Sequence, residues 1–499
     1  MIVLGILSCI YLSIVSARDF WPSLSSDAEI AVRSQRDMMT NVSIDQLPLV
    51  GVELDDVIFR GESNVTHALQ SISTLLEVGV QAFVVDIDAD ESVDNLMIMN
   101  SQVTLGNLLS VFSNYISSTN NYLEANVLVI LLRLRSESNS TVNFPPNMTQ
   151  YLEQYLNLQK VYTPEQLQSD RNSGHTIGYQ GVSNSSGWPT LKYFLYEIEK
   201  RIVITSISEE LLTELPTSMI FDSSTLNYES GNATTVCPLT SDSQITSTSV
   251  ISWRFLESEF LPDHIHEYVK CGYSTVISNY YNSDNISAIS DLLDRGIIWS
   301  WGPGQPNSTE TSFGSSSTTL VAYRCAIMHY TSSNSSTSWR IGNCYDEKRF
   351  LCGRSDNVSA WATVSEESDY FTTGDDNEKT LCPSGYKIGL PETPLQQRAV
   401  ELYLERIESD DMDLWIDLNC ISVPNCWVTG GPYASCSYEK NVSTRNFVHM
   451  ISPVSVFSFV LLVMVIYLNW LRVPIQDNRK SWKRLLNAHS NSEFEGVPS

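Results

Sequence analysis

The first half of this 499-residue chain lacks cysteine: none occurs from Arg18 to Val236. That excludes a disulfide scaffold for about half of the protein. Bases are also scarce, 30 Lys and Arg against 57 Asp and Glu, for a formal charge of -27. A surface of that sign repels phosphate backbones, so direct nucleic-acid binding is not expected. Histidine is rare as well, with seven in the whole chain. No segment repeats at a fixed period, which excludes a solenoid or propeller array. Long apolar runs are missing except at the two ends.

Those two runs carry the topology. Met1 to Ser16 contains no acid and no base, and Val15-Ser16-Ala17 places small residues before Arg18. The run is short for a spanning helix, so residues 1–17 read as a cleaved signal peptide. The second run, residues 450–471, has an uncharged core from Val454 to Leu471, long enough for ~30 Å of hydrocarbon. Tyr467 and Trp470 suit the interface, and Arg472, Arg479, Lys480, Lys483 and Arg484 mark the cytoplasmic side. The expected arrangement is a single-pass type I membrane protein. Its N-terminal region would be lumenal or extracellular, and residues 472–499 would form a cytoplasmic tail.

Two asymmetries agree with that orientation. Asn-X-Ser/Thr acceptors begin at Asn41, Asn64, Asn139, Asn147, Asn184, Asn232, Asn285, Asn307, Asn334, Asn357 and Asn441, all before the second apolar run. Nine of the ten cysteines lie between Cys237 and Cys436, the pattern of disulfides in an oxidising compartment. Nine is odd, so one thiol is free, buried or paired with another chain. Cys420, Cys426 and Cys436 are close enough for a small knot.

The change in cysteine density suggests two lumenal regions, 18–296 and 297–449. In the first, strand-like and helix-like runs alternate. Strands are expected at 47–52, 82–88, 127–132 and 201–204, and helices at 68–78, 105–116 and 191–199, with Gly79 as a cap. Alternation of this kind predicts parallel βα units. Residues 136–185 are polar and read as inserted loops, and the Ser/Thr-rich stretches 311–319 and 331–338 read as surface turns. Asp263-His264-Ile265-His266-Glu267 could offer two histidines to a metal from one face of a strand, although a surface pair is the plainer reading.

The order of elements from Gln46 to Arg135 resembles the start of the phosphatidylinositol-specific phospholipase C barrel, as does Gly187-Trp188-Pro189-Thr190-Leu191. That resemblance implies a TIM-barrel-like α/β domain whose second strand ends in the acids Asp86 and Asp88. On a strand these two point the same way, towards the barrel mouth, together with Glu53. The family's chemistry uses two histidines as acid and base. This chain has Gly51-Val52-Glu53-Leu54-Asp55-Asp56 at one of those places and Asn95 to Asn100 at the other, and neither contains a histidine. The barrel is therefore expected to be non-catalytic, with no cofactor, and Glu53, Asp86 and Asp88 to line a pseudo-active-site mouth. The competing reading is a hydrolase acting on a phosphoinositol or glycan substrate, using the same acids with a metal.

Residues 297–352 resemble the second half of a C-type lectin-like domain. They contain Trp299-Ser300-Trp301, then Gln305-Pro306-Asn307, Cys325, Trp339, Cys344 and Cys352. The resemblance implies a Cys325–Cys344 disulfide and pairing of Cys352 with an earlier cysteine such as Cys271, in an α+β disulfide-rich module. Calcium-dependent sugar binding is not expected, because Arg340 and Ile341 stand where that family has an Asn-Asp pair, and a glycan on Asn307 would block the loop.

The chain as a whole resembles the fungal maintenance of telomere capping protein 6 family. The phrases that carry this are Arg33-Ser-Gln-Arg-Asp37, Ile44-Asp-Gln-Leu-Pro48, Ser252-Trp-Arg-Phe-Leu256, Trp415-Ile-Asp-Leu-Asn419 and Cys426-Trp-Val-Thr-Gly-Gly-Pro-Tyr-Ala-Ser-Cys436. The resemblance implies a membrane glycoprotein involved in telomere capping. With the ectodomain across a membrane from chromosomes, the route would be indirect, and the lumenal partner would be a lipid, glycan or protein.

Overall fold

The structure is a computed structural model. It describes residues 23–62, 64–88, 96–135, 148–178, 187–208, 211–212, 217–231, 239–248, 250–280, 286–307, 322–374, 381–407, 409–438, 444–472 and 475–492. Two compact units result, Met1–Tyr438 and Glu439–Ser499.

Eight parallel strands of the first unit form one sheet: β1 (Val50–Glu53), β2 (Ala82–Asp88), β3 (Leu128–Arg135), β4 (Val161–Tyr162), β5 (Ile202–Ser206), β6 (Asn227–Ser230), β7 (Arg254–Ser258) and β8 (Ser274–Ile277). Their spatial order is β4-β5-β3-β2-β1-β8-β7-β6, with the two-residue strand Met97–Ile98 antiparallel on β2. The last strand, β8, thus pairs with the first, β1, as in a barrel. Closure is incomplete. Among the described residues no ladder joins the end strands β4 and β6, and the bridge Thr205–Phe221 lies on the β4 side of β5. The result is a partial TIM barrel.

The strands follow from local sequence. β2 reads Ala-Phe-Val-Val-Asp-Ile-Asp, so alternate residues face opposite sides. Ala82 and Val84 join the inner core with Val129, Leu131, Val203 and Phe255. Phe83, Val85 and Ile87 pack outwards against the helices α2 (Val65–Val78) and α3 (Leu105–Ser118) through Ile72, Leu75, Leu108 and Phe112. Asn64 caps α2 through its carboxamide oxygen and Gly79 ends it at φ 110°, a left-handed conformation in which glycine meets no Cβ penalty. Gly51 is needed for a different reason: a Cβ there would lie 2.8 Å from the Ala82 Cβ, where β1 and β2 approach.

Two segments differ from expectation. The stretch 191–199 is helical only over residues 191–197, where Tyr193–Glu197 forms a π-type turn in place of a regular α-helix. The polar segment 136–185 is not simply loop: Met148–Tyr155 and Pro164–Ser173 are helices flanking β4. Thr163 and Gln166 form a capping box at the second, with Pro164 at its first position, which is local chemistry visible in the sequence.

A second sheet contains β9 (Cys325–Thr331), β10 (Ser336–Gly342), β11 (Arg349–Gly353), β12 (Trp361–Thr363) and β13 (Met412–Asn419), in the order β10-β9-β13-β11-β12. The stretch 331–338 is a hairpin tip whose ends belong to β9 and β10, whereas 311–319 lies outside the described residues. Disulfides join Cys325 to Cys344, Cys352 to Cys382 and Cys426 to Cys436. The expected partnership of Cys352 with Cys271 is therefore corrected: strand β11 presents Cys352 towards the segment carrying Cys382, and Cys271 is disulfide-bonded elsewhere. Cys420 is the free thiol among the described residues. It is buried, and burial pushes its pKa up to about 12.

The boundary drawn at 296/297 separates two sheets but not two cores. Trp188, Trp253 and Phe255 of the barrel share one cluster with Met328, Trp339, Leu414 and Ile416 of the second sheet and with Ala399 and Val400 of α6 (Pro394–Arg406). To use consistent labels, α1 is Ser26–Met38, α4 is Pro262–Lys270 and α5 is Ile286–Ile297. Helix α1 ties the parts together. The Gln35 carbonyl oxygen accepts from the Trp299 and Ser300 amides and from the Ser300 hydroxyl, and its amide donates to the Ile297 carbonyl. Arg36 donates to the Leu123 and Ala125 carbonyls and to the Tyr438 hydroxyl. Replacing Gln35 with alanine strands three donors in a buried place. We expect about 3 kcal/mol of lost stability, measured by denaturant unfolding.

In the second unit, α7 (Thr444–Arg472) runs 29 residues and contains the uncharged run; α8 (Ile475–Ser492) follows. Side chains of α7 are described without interruption only from Ser455 to Leu471. Among the described residues no helix is long and apolar enough to cross a membrane. The crossing at 450–471 is thus an expectation from the full sequence of that segment.

Candidate functional site at the barrel mouth

The carboxyl ends of the strands gather one charged network. Glu53 closes β1, Asp86 lies late in β2, Arg133 in β3, Tyr228 in β6 and Glu257 in β7. Each occupies an inward position, where the register places Asp86 beside Arg133. Arg133 Nε lies 2.5 Å from Asp86 Oδ1, and its two Nη atoms lie 3.0 Å from Asp86 Oδ2, 2.8 Å from Glu257 Oε2 and 3.4 Å from Glu53 Oε1. The Tyr228 hydroxyl donates to Glu257. Beyond Glu53, the Asp56 amide donates to Glu53 Oε2 at 2.6 Å, and Asp55 accepts from Asn100 Nδ2 at 2.9 and 3.0 Å. Asn100 takes a left-handed conformation at φ 55°, one that asparagine tolerates well.

Glu53 and Asp86 are each 1% exposed. Burial, followed by the negative charges of Asp86, Asp56 and Asp55, pushes the Glu53 pKa up to about 8, against the pull of the Asp56 amide. The Arg133 guanidinium is held above its usual value: burial opposes its charge, but the bonds to Asp86 and the charge of Glu257 outweigh it. Burial and Glu257 likewise raise the Tyr228 phenol. One cation is thus shared by three carboxyls at the centre of the mouth, and one of these, Glu53, keeps its proton near neutrality.

That state has a measurable consequence. A carboxyl whose folded pKa lies above its unfolded value binds an extra proton in the folded state between the two, here from about 4.5 to about 8. Stability therefore falls as pH rises through this window. Glu53→Gln should flatten that fall and stabilise the first unit at pH 8 by about 2–4 kcal/mol, with little effect near pH 4. Thermal unfolding across pH, compared between the two proteins, checks it.

Glu53, Asp55 and Asp86 each bring an oxygen within 4.8 Å of the others, a spacing that could accept a metal ion. Asp88 ends β2, but its side chain lies outside the described residues. His67 pairs with Glu62 at the start of α2. His264 and His266 lie on α4 and not on a strand, where a spacing of two residues points them apart. Burial and Lys270 lower the pKa of His266, which bonds towards Arg295 of α5. His329 pairs with Asp413.

The loop at Gln305 and its neighbour Arg340 are engaged within the fold. Gln305 Oε1 accepts from the Ile341 amide, and Arg340 pairs with Asp413 at 2.7 Å. Of the glycan acceptors, Asn41, Asn64 and Asn334 are exposed and Asn307 and Asn357 half-buried; Asn139, Asn147, Asn184, Asn232, Asn285 and Asn441 lie outside the described residues. Arg133, Tyr228 and Glu257 were not singled out from sequence. The available signal was a charge interrupting an apolar strand, Leu131-Leu132-Arg133-Leu134 and Phe255-Leu256-Glu257.

The fold and mouth define a partial TIM barrel with an acidic mouth bridged by one arginine. Residues 22–299 match a family model described as the MTC6 partial TIM-barrel domain. The chain belongs to the maintenance of telomere capping protein 6 family. It is 49% identical to the relative of that name from Lachancea thermotolerans, over 100% of this chain and 99% of the relative. It is 42% identical to the one from Zygosaccharomyces rouxii, over 96% and 93%. Among solved structures, a phosphatidylinositol-specific phospholipase C of Staphylococcus aureus is similar at 16% identity and a TM-score of 0.30, over 55% of this chain and 99% of the other.

Proposed function

We propose that this chain is a non-catalytic, single-pass type I membrane glycoprotein whose part in telomere capping is indirect. The observation that carries the first half is Arg133. Its guanidinium occupies the space between Glu53, Asp86 and Glu257, so the mouth spends its charges on itself. Acid–base cleavage of a phosphodiester needs a group that gains and another that loses a proton beside the substrate. The loops after β1, β2, β3, β5 and β8 contain no histidine to serve. The mouth then binds a lipid headgroup, a glycan or a protein without turning it over.

The membrane half is supported by exposure. Phe457, Phe459 and Trp470 of α7 are 65%, 67% and 77% exposed, on a helix without an acid or a base from Val454 to Leu471. Such a surface is costly in water and suited to lipid. The relatives' name supplies telomere capping, and an ectodomain across a membrane from chromosomes acts on them through intermediates.

Purified ectodomain incubated with phosphatidylinositol should release no headgroup, and Asp86→Asn should change nothing. Robust turnover lost on that substitution would reverse the reading. For topology, glycosidase should shorten the full chain on a gel. Protease added to sealed microsomes should remove only a C-terminal tag. A protected tag overturns the orientation.

A second reading, a metal-assisted hydrolase of a phosphoinositol or glycan, is favoured by the spacing of Glu53, Asp55 and Asp86. It requires stoichiometric metal in the purified ectodomain and activity that a chelator removes.

A further inference from the structure

Helix α8 presents two opposed stripes. Trp482, Leu485 and Leu486 stand at i, i+3 and i+4 and are 66%, 61% and 64% exposed. Lys480, Lys483 and Arg484 occupy the same spacing on the other side of the helix. Lys480 to Ser490 contains three bases and no acid, in a chain whose formal charge is -27. A helix with an aromatic and leucines on one side and three bases on the other between Lys480 and Ser490 fits a plane between water and acyl chains, with anionic headgroups beside the bases.

The chain itself sets the place. Only residues 473 and 474 separate α8 from α7. Three peptide steps reach about 11 Å at most, so α8 begins within headgroup depth of wherever α7 ends. The apolar stripe is too narrow and short to span, and nothing among the described residues of this unit covers it.

We propose that α8 is an interfacial helix that binds the anionic lipid surface of the leaflet entered by α7. The proposal rests on the membrane reading of α7. A small acyl-facing stripe and three charge contacts give a reversible attachment, set by the lipid composition of the cytoplasmic leaflet. The tail would thus lie along the membrane instead of extending into the cytosol.

The test uses the full chain in lipid nanodiscs with an environment-sensitive fluorophore on Leu486→Cys. Cys420 is buried, and the unsubstituted chain sets the labelling background. In phosphatidylcholine containing phosphatidylserine, the label should shift to the blue and resist an aqueous quencher; in phosphatidylcholine alone it should do so less. Replacing Lys480, Lys483 and Arg484 by glutamine should shift the bound-to-free ratio of the helix by on the order of a hundredfold, about fivefold per base. A label that is aqueous in both lipids overturns the proposal and leaves the stripe to a protein partner, as does a blue shift indifferent to lipid charge and to the triple substitution. A second label at Val463→Cys separates the two readings. It should be lipid-exposed in every disc. If it is aqueous, α7 is not an anchor; if it is in lipid while the α8 label is not, only the present inference fails.

Discussion

Substituting Arg133 by methionine should cost the ectodomain about 3–5 kcal/mol at neutral pH and markedly less at pH 5. The methionine keeps most of the apolar stem but removes the one cation shared by Asp86, Glu257 and Glu53. Those carboxylates lie at 0%, 13% and 1% side-chain exposure for Asp86, Glu257 and Glu53, too buried for water to replace the guanidinium. In the variant their pKa values must rise, so the folded state binds more protons than the unfolded one. Stability then increases as pH falls through the raised values, opposite to the usual acid denaturation. Denaturant midpoints of both proteins at pH 5 and pH 8 decide it. Equal losses at the two pH values would mean that Arg133 matters for packing and not for charge, and would remove the arginine-bridged mouth from the functional argument.

Glu401→Ala is expected to have a comparable effect, about 3–5 kcal/mol, for a related reason in another place. Glu401 of α6 has no exposed side-chain surface. It receives Lys270 of α4 at 3.3 Å, Arg398 at 3.0 Å, and the Thr337 amide and hydroxyl at 2.9 and 3.1 Å. Lys270 is itself nearly buried, at 6% side-chain exposure. Alanine leaves a buried ammonium and two polar donors without this acceptor, whereas Glu401→Gln keeps an oxygen for Thr337 and should cost less. Because the pair bridges the barrel and the disulfide-bearing sheet, the ectodomain should still unfold in one transition, shifted as a whole. Two transitions, with only one displaced, would show that the sheets fold as separate domains after all.

The two substitutions mark where sequence reading ended. Ala82–Asp88 was legible to the residue, because the β-formers Phe83, Val84, Val85 and Ile87 follow shortly after the helix-ending Gly79. So was α2, from its apolar spacing and its glycine cap. The segment 191–199 was legible as helical, but its π-type turn at Tyr193–Glu197 and its end at Ile198 were not. Asp86 and Glu53 were found as acids at strand ends. Their neutralising arginine, 47 and 80 residues further on, was invisible without the register that sets β3 against β2. The motif Arg33-Ser-Gln-Arg-Asp37 was recognised but unexplained; the contacts of Gln35 and Arg36 make it a structural tie and not a reactive one.

By itself the sequence determined what local composition controls. The parallel α/β class follows from alternating periodicities, the expectation of an oxidising compartment from cysteines and sequons, and the membrane expectation from one uncharged run. It also determined the absence of histidine at the two places where phosphodiester chemistry would need it. Only the tertiary structure decided which distant charges meet. It paired β8 with β1, joined the two sheets in a shared cluster, paired Cys352 with Cys382, and set Arg133 among three acids. Such contacts depend on strand register and on the burial of facing surfaces. Both are properties of the whole packed chain, and a charge in an apolar run shows only that some partner is required.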